Sequence, residues 1–505
     1  MRRKVLFGIL AMLACAFLAA CGDSGDSTAT TSGDDSAPVG NGTLTVTMQG
    51  DIDNFDPYTN QLIQYEWVIR NTVFDTLVRY DDDLSIVPGV ATPEANADAT
   101  EFTFALQDGV TFSDGDPMDA EAVIASLKAA AKSKGLYAAK LADVKSYEAP
   151  DSRTVKITLR NPNAAFLDGL AKIAIVAPRH LRDARKNPVG SGPYTFKSWT
   201  PNDSVVLERN DDYWGPKPAL RSIVFKPVPD PQNALNSIYA GDVDVVGFTP
   251  TDIVAQLDGS RATAVEPPAS NSMLYVEMMG RSGALADPKL RQALAHAFDR
   301  DAVRKVAYGD RGESEWSPLP SGSWAYAQQE GYPYDLDQAR ALVEEAGASG
   351  RTITLDILTG DPSAVKMARV WQESLAKVGI DLRVRVSELS VWLDRYINHD
   401  YDMIVNGFNV SSDPNSFFEV IMKGHLEDQY RNPEMQRLIA EGVATTDEAR
   451  RTEIYAQLQE MMVADLPVLA AQAQPLASVA GTRVDGLQIN PIGWPLFDGV
   501  SVDEG

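Results

Sequence analysis

Cysteine, histidine and long apolar runs are all scarce in this chain of 505 residues. The two cysteines are Cys15 and Cys21, so the body of the chain that follows them has no partner for an internal disulfide. Its stability must therefore come from its core, and a chain of this length predicts more than one lobe. None of the four histidines lies at metal-ligand spacing from another, so we expect no metal site and no cofactor: His180, His296, His399 and His425.

The sequence also lacks the common catalytic motifs. There is no G-x-S-x-G nucleophile elbow, no G-x-x-x-x-G-K-[ST] phosphate loop and no nucleophilic cysteine in the body of the chain. Acidic residues are abundant, so a carboxylate pair for glycoside hydrolysis stays open on counting alone. A secreted hydrolase is therefore kept as the enzyme alternative to a binding protein.

Positive charge is in deficit. The 70 acidic residues outnumber the 45 basic ones, and the formal net charge is −25. Nucleic acids and anionic lipid surfaces are both recognised through basic patches. We therefore expect no nucleic-acid partner and no direct adsorption of the body to a membrane.

The first residues have the pattern of a secretory signal. Three basic residues at 2–4 precede an apolar run at 5–20, which is short for a bilayer span. The stretch LAACG at 18–22 resembles the lipobox of bacterial lipoproteins, which implies cleavage before Cys21 and a lipid on its thiol. The alternative is an ordinary cleavage site with a cysteine nearby.

Residues 21–41 are rich in Gly, Ser, Thr and Asp, which predicts a flexible tether with a mean reach of about 25 Å. With segment 1–20 removed as the signal peptide, Cys21 would anchor the protein to the cell membrane on its extracytoplasmic face. In this interpretation the protein associates with the membrane only through the lipid on Cys21.

The first half of the body is rich in strand and turn patterns. TLTVTMQ alternates apolar and Thr residues like a half-buried strand. TEFTFALQDGVTFSDGDP predicts a hairpin that turns at Asp108 and Gly109, and Asp119 then occupies the position of a helix N-cap.

The second half alternates strand and helix patterns. TITLDIL, DLRVRV and YDMIVNG predict strands that are separated by two helical segments. Further on, Asp287 and Asp335 are placed to cap helices. This alternation predicts a mostly parallel sheet that is covered on both faces.

Seven stretches, in order, resemble the family 5 extracellular solute-binding proteins, the peptide, nickel and oligosaccharide receptors of bacterial ABC importers. The resemblance extends from about residue 42 to the C-terminus. The stretches include NTVFDTLVRYDDDLSIVPGVA, NPVGSGPYTFKSWTPNDSVVLERNDDYWG, DPKLRQALAHAFDRDAVRKVAYG and TTDEARRTEIYAQLQEMMVADLPVL.

The resemblance implies an α/β fold, a two-lobed periplasmic-binding-protein-like (type II) clamshell with a reduced accessory subdomain in lobe I. Lobe I would comprise 43–268 plus 473–505, and lobe II 269–472. It also implies a monomeric, non-catalytic receptor that closes on a small ligand and is read by ABC permease subunits. The ligand class implied first is a peptide. An oligosaccharide or a metal chelate remains an alternative ligand. A sensory or adhesive lipoprotein that uses the same fold without transport remains an alternative role for the protein.

The stretch FNVSSDPNSFF departs from the pattern of peptide receptors in this family. Many of them have a Trp where this chain has Phe408, and an Asp that anchors the α-amino group of the ligand where it has Val410 or Ser411. Loss of that carboxylate removes a charge-assisted bond of about 2 kcal/mol. Asp51 or Asp413 could substitute.

Ligands of α/β sheets bind beyond the carboxyl ends of strands, which points to the residues after TLTVTM and after YDMIV. The clamshell architecture also points to the strand at which the lobes join as a place for ligand-binding residues. For Asp51 and Asp413 the alternative to ligand binding is the capping of a turn. The predicted ligand-binding residues are Gln49, Asp51, Asn271, Tyr275, Trp392, Phe408, Asn409, Ser411 and Asp413.

Tryptophans add candidates for stacking on a ligand. Trp199 and Trp214 lie in framework stretches and are interpreted as packing residues. The others are candidate platforms for a sugar or an aromatic group, with burial in the core as the alternative: Trp67, Trp324, Trp392 and Trp494.

Overall fold

The computed structural model of the chain describes residues 41–60, 65–70, 72–280, 283–427 and 430–503. The predicted signal peptide, Cys21 and the tether up to residue 40 lie outside the described residues. Within the described part, no helix combines the length and the apolar character needed to cross a membrane.

The larger sheet has seven strands, and we call the part of the chain built around it the first lobe. The strands are β1 (Thr43–Met48), β8 (Tyr194–Thr200), β9 (Ser204–Arg209), β10 (Ser222–Pro227), β11 (Val245–Val246), β12 (Ala262–Val265) and β18 (Ser478–Gly481). Their order is β12-β18-β11-β1-β10-β9-β8. The central strand β1 pairs in parallel with β10 and β11, and the pairs toward both edges are antiparallel.

The strand predicted for TLTVTMQ is confirmed as β1, the centre of this sheet. Its apolar residues Leu44, Val46 and Met48 are buried, as the alternation requires. They belong to a core that continues through the tyrosine- and tryptophan-rich segment around Trp67 to the C-terminal Val500.

A separate antiparallel sheet forms the accessory subdomain. Its strands, in the order β4-β5-β7-β6, are β4 (Ala91–Ala95), β5 (Glu101–Leu106), β6 (Val144–Asp151) and β7 (Thr154–Leu159). The helix Ala120–Lys132 packs on β6 and β7, and the predicted N-cap is confirmed because Asp119 Oδ1 accepts a hydrogen bond from Ala122 N at 2.8 Å.

The predicted hairpin at Asp108 and Gly109 was wrong. A turn does occur there, but β5 pairs with β4 and β7, and the chain after the turn contributes a single bridge between Thr111 and Pro117. The reason is that TVKITL in β7 offers β5 a full set of apolar cross-strand partners, whereas the segment after the turn is broken by further turns and by a proline.

The second sheet has five strands, and we call the part of the chain built around it the second lobe. The strands are β13 (Ser272–Met278), β14 (Thr352–Leu358), β15 (Asp381–Ser387), β16 (Met403–Asn409) and β17 (Val468–Ala473), in the order β15-β14-β16-β13-β17. β14 is parallel to β15 and β16, but β13 is antiparallel to β16 and β17. The expectation of a mostly parallel sheet is therefore confirmed for the three strands from which it was drawn, and β13 is the one strand of this sheet that runs in the opposite direction.

Helices cover both faces of the second sheet. The caps predicted at Asp287 and Asp335 are confirmed by hydrogen bonds from Lys289 N and from Gln338 N. The helices of this lobe are Pro288–His296, Arg300–Tyr308, Leu336–Glu345, Pro362–Lys377, Leu389–Asn398, Asn415–Phe417, Pro433–Ala444 and Glu448–Asp465, with the 3₁₀ turn Ala284–Ala286 and the π-helical segment Phe418–His425.

The first lobe contains shorter helical and strand elements. The helices are Phe166–Leu170, Pro231–Ala240 and Thr251–Val254, with the 3₁₀ segments Leu136–Leu141 and Pro178–His180 and the π-helical segment Glu66–Arg70. The remaining strands are β2 (Val78–Tyr80), β3 (Ile86–Pro88), β19 (Val484–Asp485), β20 (Gln488–Ile489), β21 (Pro495–Leu496) and β22 (Ser501–Val502).

The chain crosses between the two large sheets twice, through residues 266–271 and 474–477. The second crossing is hydrogen bonded to the residue directly after the first: Gln474 N donates to Ser272 O, and Ser272 Oγ donates to Gln474 Oε1, both at 2.8 Å. The two passages therefore lie side by side where the lobes meet.

Candidate functional site

A cavity of about 570 Å³ lies between the two lobes. The first lobe contributes wall residues within 83–86 and 164–168, and the second lobe contributes residues within 321–324, 411–413 and 446–451. Each wall thus comes from a different lobe, and Asn271 in the first crossing completes the lining. A volume of this size suits a small ligand.

Asn271 is fixed in the cavity by its backbone. Its N–H donates to Pro491 O at 2.7 Å, and its carbonyl accepts from Val410 N at 2.8 Å. The side chain is buried, and its Oδ1 has no hydrogen-bond partner among the described residues. Gly322 approaches this oxygen so closely that a Cβ at that position would lie 2.3 Å away. Asn271 therefore lines the cavity with its Oδ1 buried beneath Gly322, and its ligand role stays a prediction.

Asp168 and Ser411 face each other across the lobes and are joined by Lys172. The Lys172 ammonium donates to Asp168 Oδ2 at 3.0 Å and to Ser411 Oγ at 2.7 Å. Asp168 Oδ1 accepts from Tyr80 OH at 2.9 Å and from Asp413 N at 3.3 Å. Burial acts to raise the pKa of the Asp168 carboxyl, but the Lys172 ammonium outweighs it and holds that pKa below its usual value.

Asp413 is paired with a cation of its own lobe. Arg451 Nη2 lies 2.8 Å from Asp413 Oδ1 and 2.7 Å from Oδ2, and both side chains are buried. Burial raises the pKa of the Asp413 carboxyl, and the Arg451 guanidinium opposes that rise. Asp413 also accepts from Asn415 N at 2.9 Å. Although Asp413 lines the cavity, its carboxylate is already occupied by this pair and by the turn.

Trp324 is the aromatic side chain of the cavity wall. Its indole Nε1 donates to Ser412 O at 2.8 Å, which fixes the ring, and 40% of the residue is exposed. The Arg451 guanidinium lies 5.3 Å from the ring centroid. Trp324 was one of four candidate stacking tryptophans, and the structure places it at the cavity. Trp67 and Trp494 are buried in the core of the first lobe.

Gln49 and Asp51 follow β1, as the strand-end rule requires, but they do not line this cavity. Gln49 Nε2 donates to Phe248 O at 3.2 Å. Asp51 Oδ2 accepts from Asn202 N at 2.7 Å, and Trp199 Nε1 lies 3.3 Å from Oδ1. Asp51 thus ties the end of β1 to the β8–β9 turn, and its ligand role stays a prediction.

The remaining predicted residues are divided between the core and the sheet edge. Tyr275 is buried in an aromatic cluster of the second lobe, with its ring 5.9 Å from that of Phe417, and Phe408 packs edge-to-face on the same Phe417 at 5.5 Å. Asn409 is exposed and pairs with Ser272 through the backbone. None of these three side chains lines the cavity.

Trp392 is nearly buried in a stack of rings outside the cavity. Its ring stacks on Tyr396 at 5.1 Å, and Tyr396 stacks on His425 at 3.8 Å. His425 Nε2 in turn lies 3.1 Å from Oε2 of the buried Glu277. Trp392 is therefore a packing residue on the helix Leu389–Asn398, and its ligand role stays a prediction.

Of the nine predicted residues, the structure brings together three at the cavity: Asn271, Ser411 and Asp413. Sequence reasoning missed Asp168, Lys172 and Arg451. Arg451 lies within a stretch that was recognised as typical of the family, but nothing in the local sequence distinguishes it from Arg450. Lys172 and Ser411 are separated by 239 residues, and only the fold brings them together.

Comparison with known proteins agrees with this architecture. The family model described as bacterial extracellular solute-binding proteins, family 5, middle part, matches residues 85–425. The chain is 28% identical over 453 residues to the probable D,D-dipeptide-binding periplasmic protein DdpA of Escherichia coli K12, with 85% of this chain and 88% of that protein covered. It is 28% identical over 474 residues to the glutathione-binding protein GsiB of Pectobacterium atrosepticum, with 87% and 90% covered.

Solved structures share the fold. The crystal structure of the ABC transporter substrate-binding protein CtaP of Listeria monocytogenes superposes with a TM-score of 0.84 at 23% identity, with 92% of this chain and 100% of that chain covered. Because the family model spans well over half of the sequence, this chain belongs to family 5 of the bacterial extracellular solute-binding proteins, two-lobed substrate receptors of ABC importers that are not enzymes.

Proposed function

We propose that this protein captures short peptides in the cavity between its lobes and delivers them to an ABC permease. The observation that carries the proposal is the cavity itself, whose walls come from both lobes and whose volume is about 570 Å³. A ligand that touches both walls stabilises the closed arrangement by its difference in affinity between the open and closed states. The family relatives named for a D,D-dipeptide and for glutathione support a peptide as the ligand class.

We further propose that lobe I comprises residues 43–268 plus 473–505 and lobe II residues 269–472. The two crossings at 266–271 and 474–477 support these boundaries, because each passage between the two large sheets falls at or beside a proposed boundary. The protein works as a monomer in this proposal, with one ligand for each clamshell.

A saccharide is the second candidate ligand, and one observation favours it. Trp324 lines the cavity with its ring fixed and partly exposed, which is the arrangement on which a sugar ring can stack. A saccharide needs a surface for ring stacking, whereas a peptide also needs partners in the cavity walls for its charged ends.

Thermal unfolding of the mature protein against a peptide library and an oligosaccharide library tests the ligand class. A ligand present at 100 times its dissociation constant stabilises the folded state by about 2.7 kcal/mol, which gives a clear rise in melting temperature. Mass spectrometry of the ligand that co-purifies with the native protein provides an independent identification. A saccharide in that fraction, with no response to peptides, would overturn the peptide proposal.

We propose that the protein is held at the extracytoplasmic face of the membrane by a lipid on Cys21. The lipobox-like stretch at 18–22 and the polar segment that follows it support this anchor. Mass spectrometry of the N-terminal peptide of the membrane fraction should find the lipid. Cys21→Ala should release the protein from that fraction, and an unmodified Cys21 in the native protein would contradict the anchor.

A further inference from the structure

We propose that Lys172 determines which charge a ligand can carry where it meets Ser411: the receptor accepts a carboxylate or an uncharged acceptor there and rejects an ammonium. The inference rests on the proposed peptide function and specifies it further. It follows from how the charged groups around the cavity are already paired.

The Lys172 ammonium occupies the junction between the two walls. It is largely buried, and it bridges Asp168 Oδ2 of the first lobe and Ser411 Oγ of the second lobe at 3.0 and 2.7 Å. Both of those residues line the cavity. An ammonium has three donors and no acceptor, so the bridge uses two donors and leaves a third beside Ser411. Lys172 itself is not among the cavity-lining residues, and it acts on the cavity through Asp168 and Ser411.

The buried carboxylates of the cavity wall are both satisfied. Asp168 accepts from Lys172, Tyr80 and Asp413 N, and Asp413 accepts from Arg451 and Asn415 N. The other two acidic residues of the wall, Asp83 and Glu448, are exposed at its rim. A ligand ammonium that reached Ser411 would therefore have to displace a buried cation to gain a carboxylate partner.

A second lysine lies on this side of the cavity. Burial and the nearby Lys172 ammonium both lower the pKa of Lys140, whereas the carboxylates of Asp168, Glu419 and Asp413 raise it. Two of those carboxylates are already paired, Asp168 with Lys172 and Asp413 with Arg451. An ammonium at Ser411 would meet the Lys172 cation directly, whereas a carboxylate or an uncharged acceptor could accept its third donor.

The test uses two forms of trialanine that carry charge at opposite ends. N-acetyl-trialanine has only its carboxylate, and trialanine amide has only its ammonium. Calorimetry with the wild-type protein should show that the acetylated form binds about tenfold more tightly than the amide form. Equal binding, or tighter binding of the amide form, would overturn the role of Lys172.

Variants separate the charge of Lys172 from general effects on the fold. Lys172→Met should bring the affinity ratio of the two peptides to about one or reverse it, and Lys172→Arg should keep the wild-type preference. Lys156→Met is the matched control, because Lys156 forms an ion pair with Glu101 in the accessory sheet and should leave the ratio unchanged.

Lys172→Met leaves the buried Asp168 without its cation and could lose stability. The double variant Asp168→Asn/Lys172→Met removes both charges, and it should also lose the preference for the acetylated peptide. If a folded Lys172→Met variant or the folded double variant keeps the wild-type affinity ratio of the two peptides, the role of Lys172 is overturned and the proposed peptide function still stands. If neither peptide binds the wild-type protein at millimolar concentration, the proposed peptide function fails and the inference fails with it.

Discussion

The two large sheets differ in what they bury. In the first lobe, the central strands β1 and β10 contribute apolar side chains to the core, such as Val46 and Phe225. In the second lobe, two strands carry fully buried carboxylates, Glu277 on β13 and Asp356 on β14. The strands of the first sheet are thus held mainly by packing, with the buried carboxylate Asp244 just outside β11, whereas the strands of the second sheet themselves carry buried charge.

The buried carboxylates of the second lobe connect separate elements. Asp356 pairs with Arg385 on β15 and with Arg395 on the helix Leu389–Asn398. Glu277 accepts from Tyr401 OH at 2.9 Å and lies beside His425. Because a charge buried without a partner is costly, each group determines where its neighbours can pack. The comparison predicts different responses to substitution in the two lobes.

The largest loss of stability should follow from an apolar truncation in the first lobe. Phe225 packs edge-to-face on Trp67 and Phe497, with ring centroids 5.6 and 5.8 Å away. Phe225→Ala should reduce the free energy of unfolding by about 4 kcal/mol, because it leaves a cavity in a close-packed core. Urea unfolding followed by circular dichroism measures this. Phe225→Leu is the control, with a loss of about 1 kcal/mol.

A buried ion pair of the second lobe should come next. Arg451→Met leaves Asp413 buried without its cation and should cost about 3 kcal/mol. The double variant Asp413→Asn/Arg451→Met should recover much of that loss, since it no longer buries an unpaired charge. Urea midpoints of the two variants test the pair, and a double variant less stable than Arg451→Met would contradict the explanation.

A third effect should appear as a dependence on pH. Burial raises the pKa of Glu315 from 4.5 to about 7, and Tyr326 OH donates to its carboxylate at 3.0 Å. Between these two pH values the folded state keeps a proton that the unfolded state has lost, so stability should fall as pH rises through this window. After allowance for solvent screening the fall is roughly 2 kcal/mol.

Glu315→Gln should remove that fall, because the amide keeps an acceptor for Tyr326 but does not titrate. Urea midpoints of both proteins, measured from acid to neutral pH, provide the comparison. A slope that is unchanged in the variant would assign the pH dependence to other groups, such as Asp75, whose pKa burial raises to about 6.

The smallest effect should come from charge at the surface of the second lobe. Arg437 makes short contacts with Glu434 and Glu441 on the helix Pro433–Ala444, but its side chain is more than half exposed. Ion pairs in water contribute little, so Arg437→Ala should leave the melting temperature almost unchanged. A loss comparable to that of Arg451→Met would contradict the distinction between buried and exposed charge.

Periodicity and capping predicted much of the fold, because both are local. The alternation in TLTVTMQ identified β1, and Asp119, Asp287 and Asp335 marked helix starts correctly. Strand pairing was less predictable: β5 had two possible partners, and only tertiary packing selects β7 over the segment after the Asp108 turn.

The candidate site was harder to predict for the same reason. Asn271, Ser411 and Asp413 were found from strand ends and from the junction between the lobes. The partners that decide their chemistry lie far away in sequence: Lys172 for Ser411 and Arg451 for Asp413. No local pattern indicates that a carboxylate such as Asp413 is already neutralised.

The paired crossings at 266–271 and 474–477 limit how the two halves of the molecule can move. A single passage would leave twisting and sliding available as well as bending. We expect two passages that lie side by side, held together by the hydrogen bonds between Ser272 and Gln474, to leave mainly one angle free. Opening and closing then follow a single coordinate, so one pair of spectroscopic labels across the gap reports the whole motion.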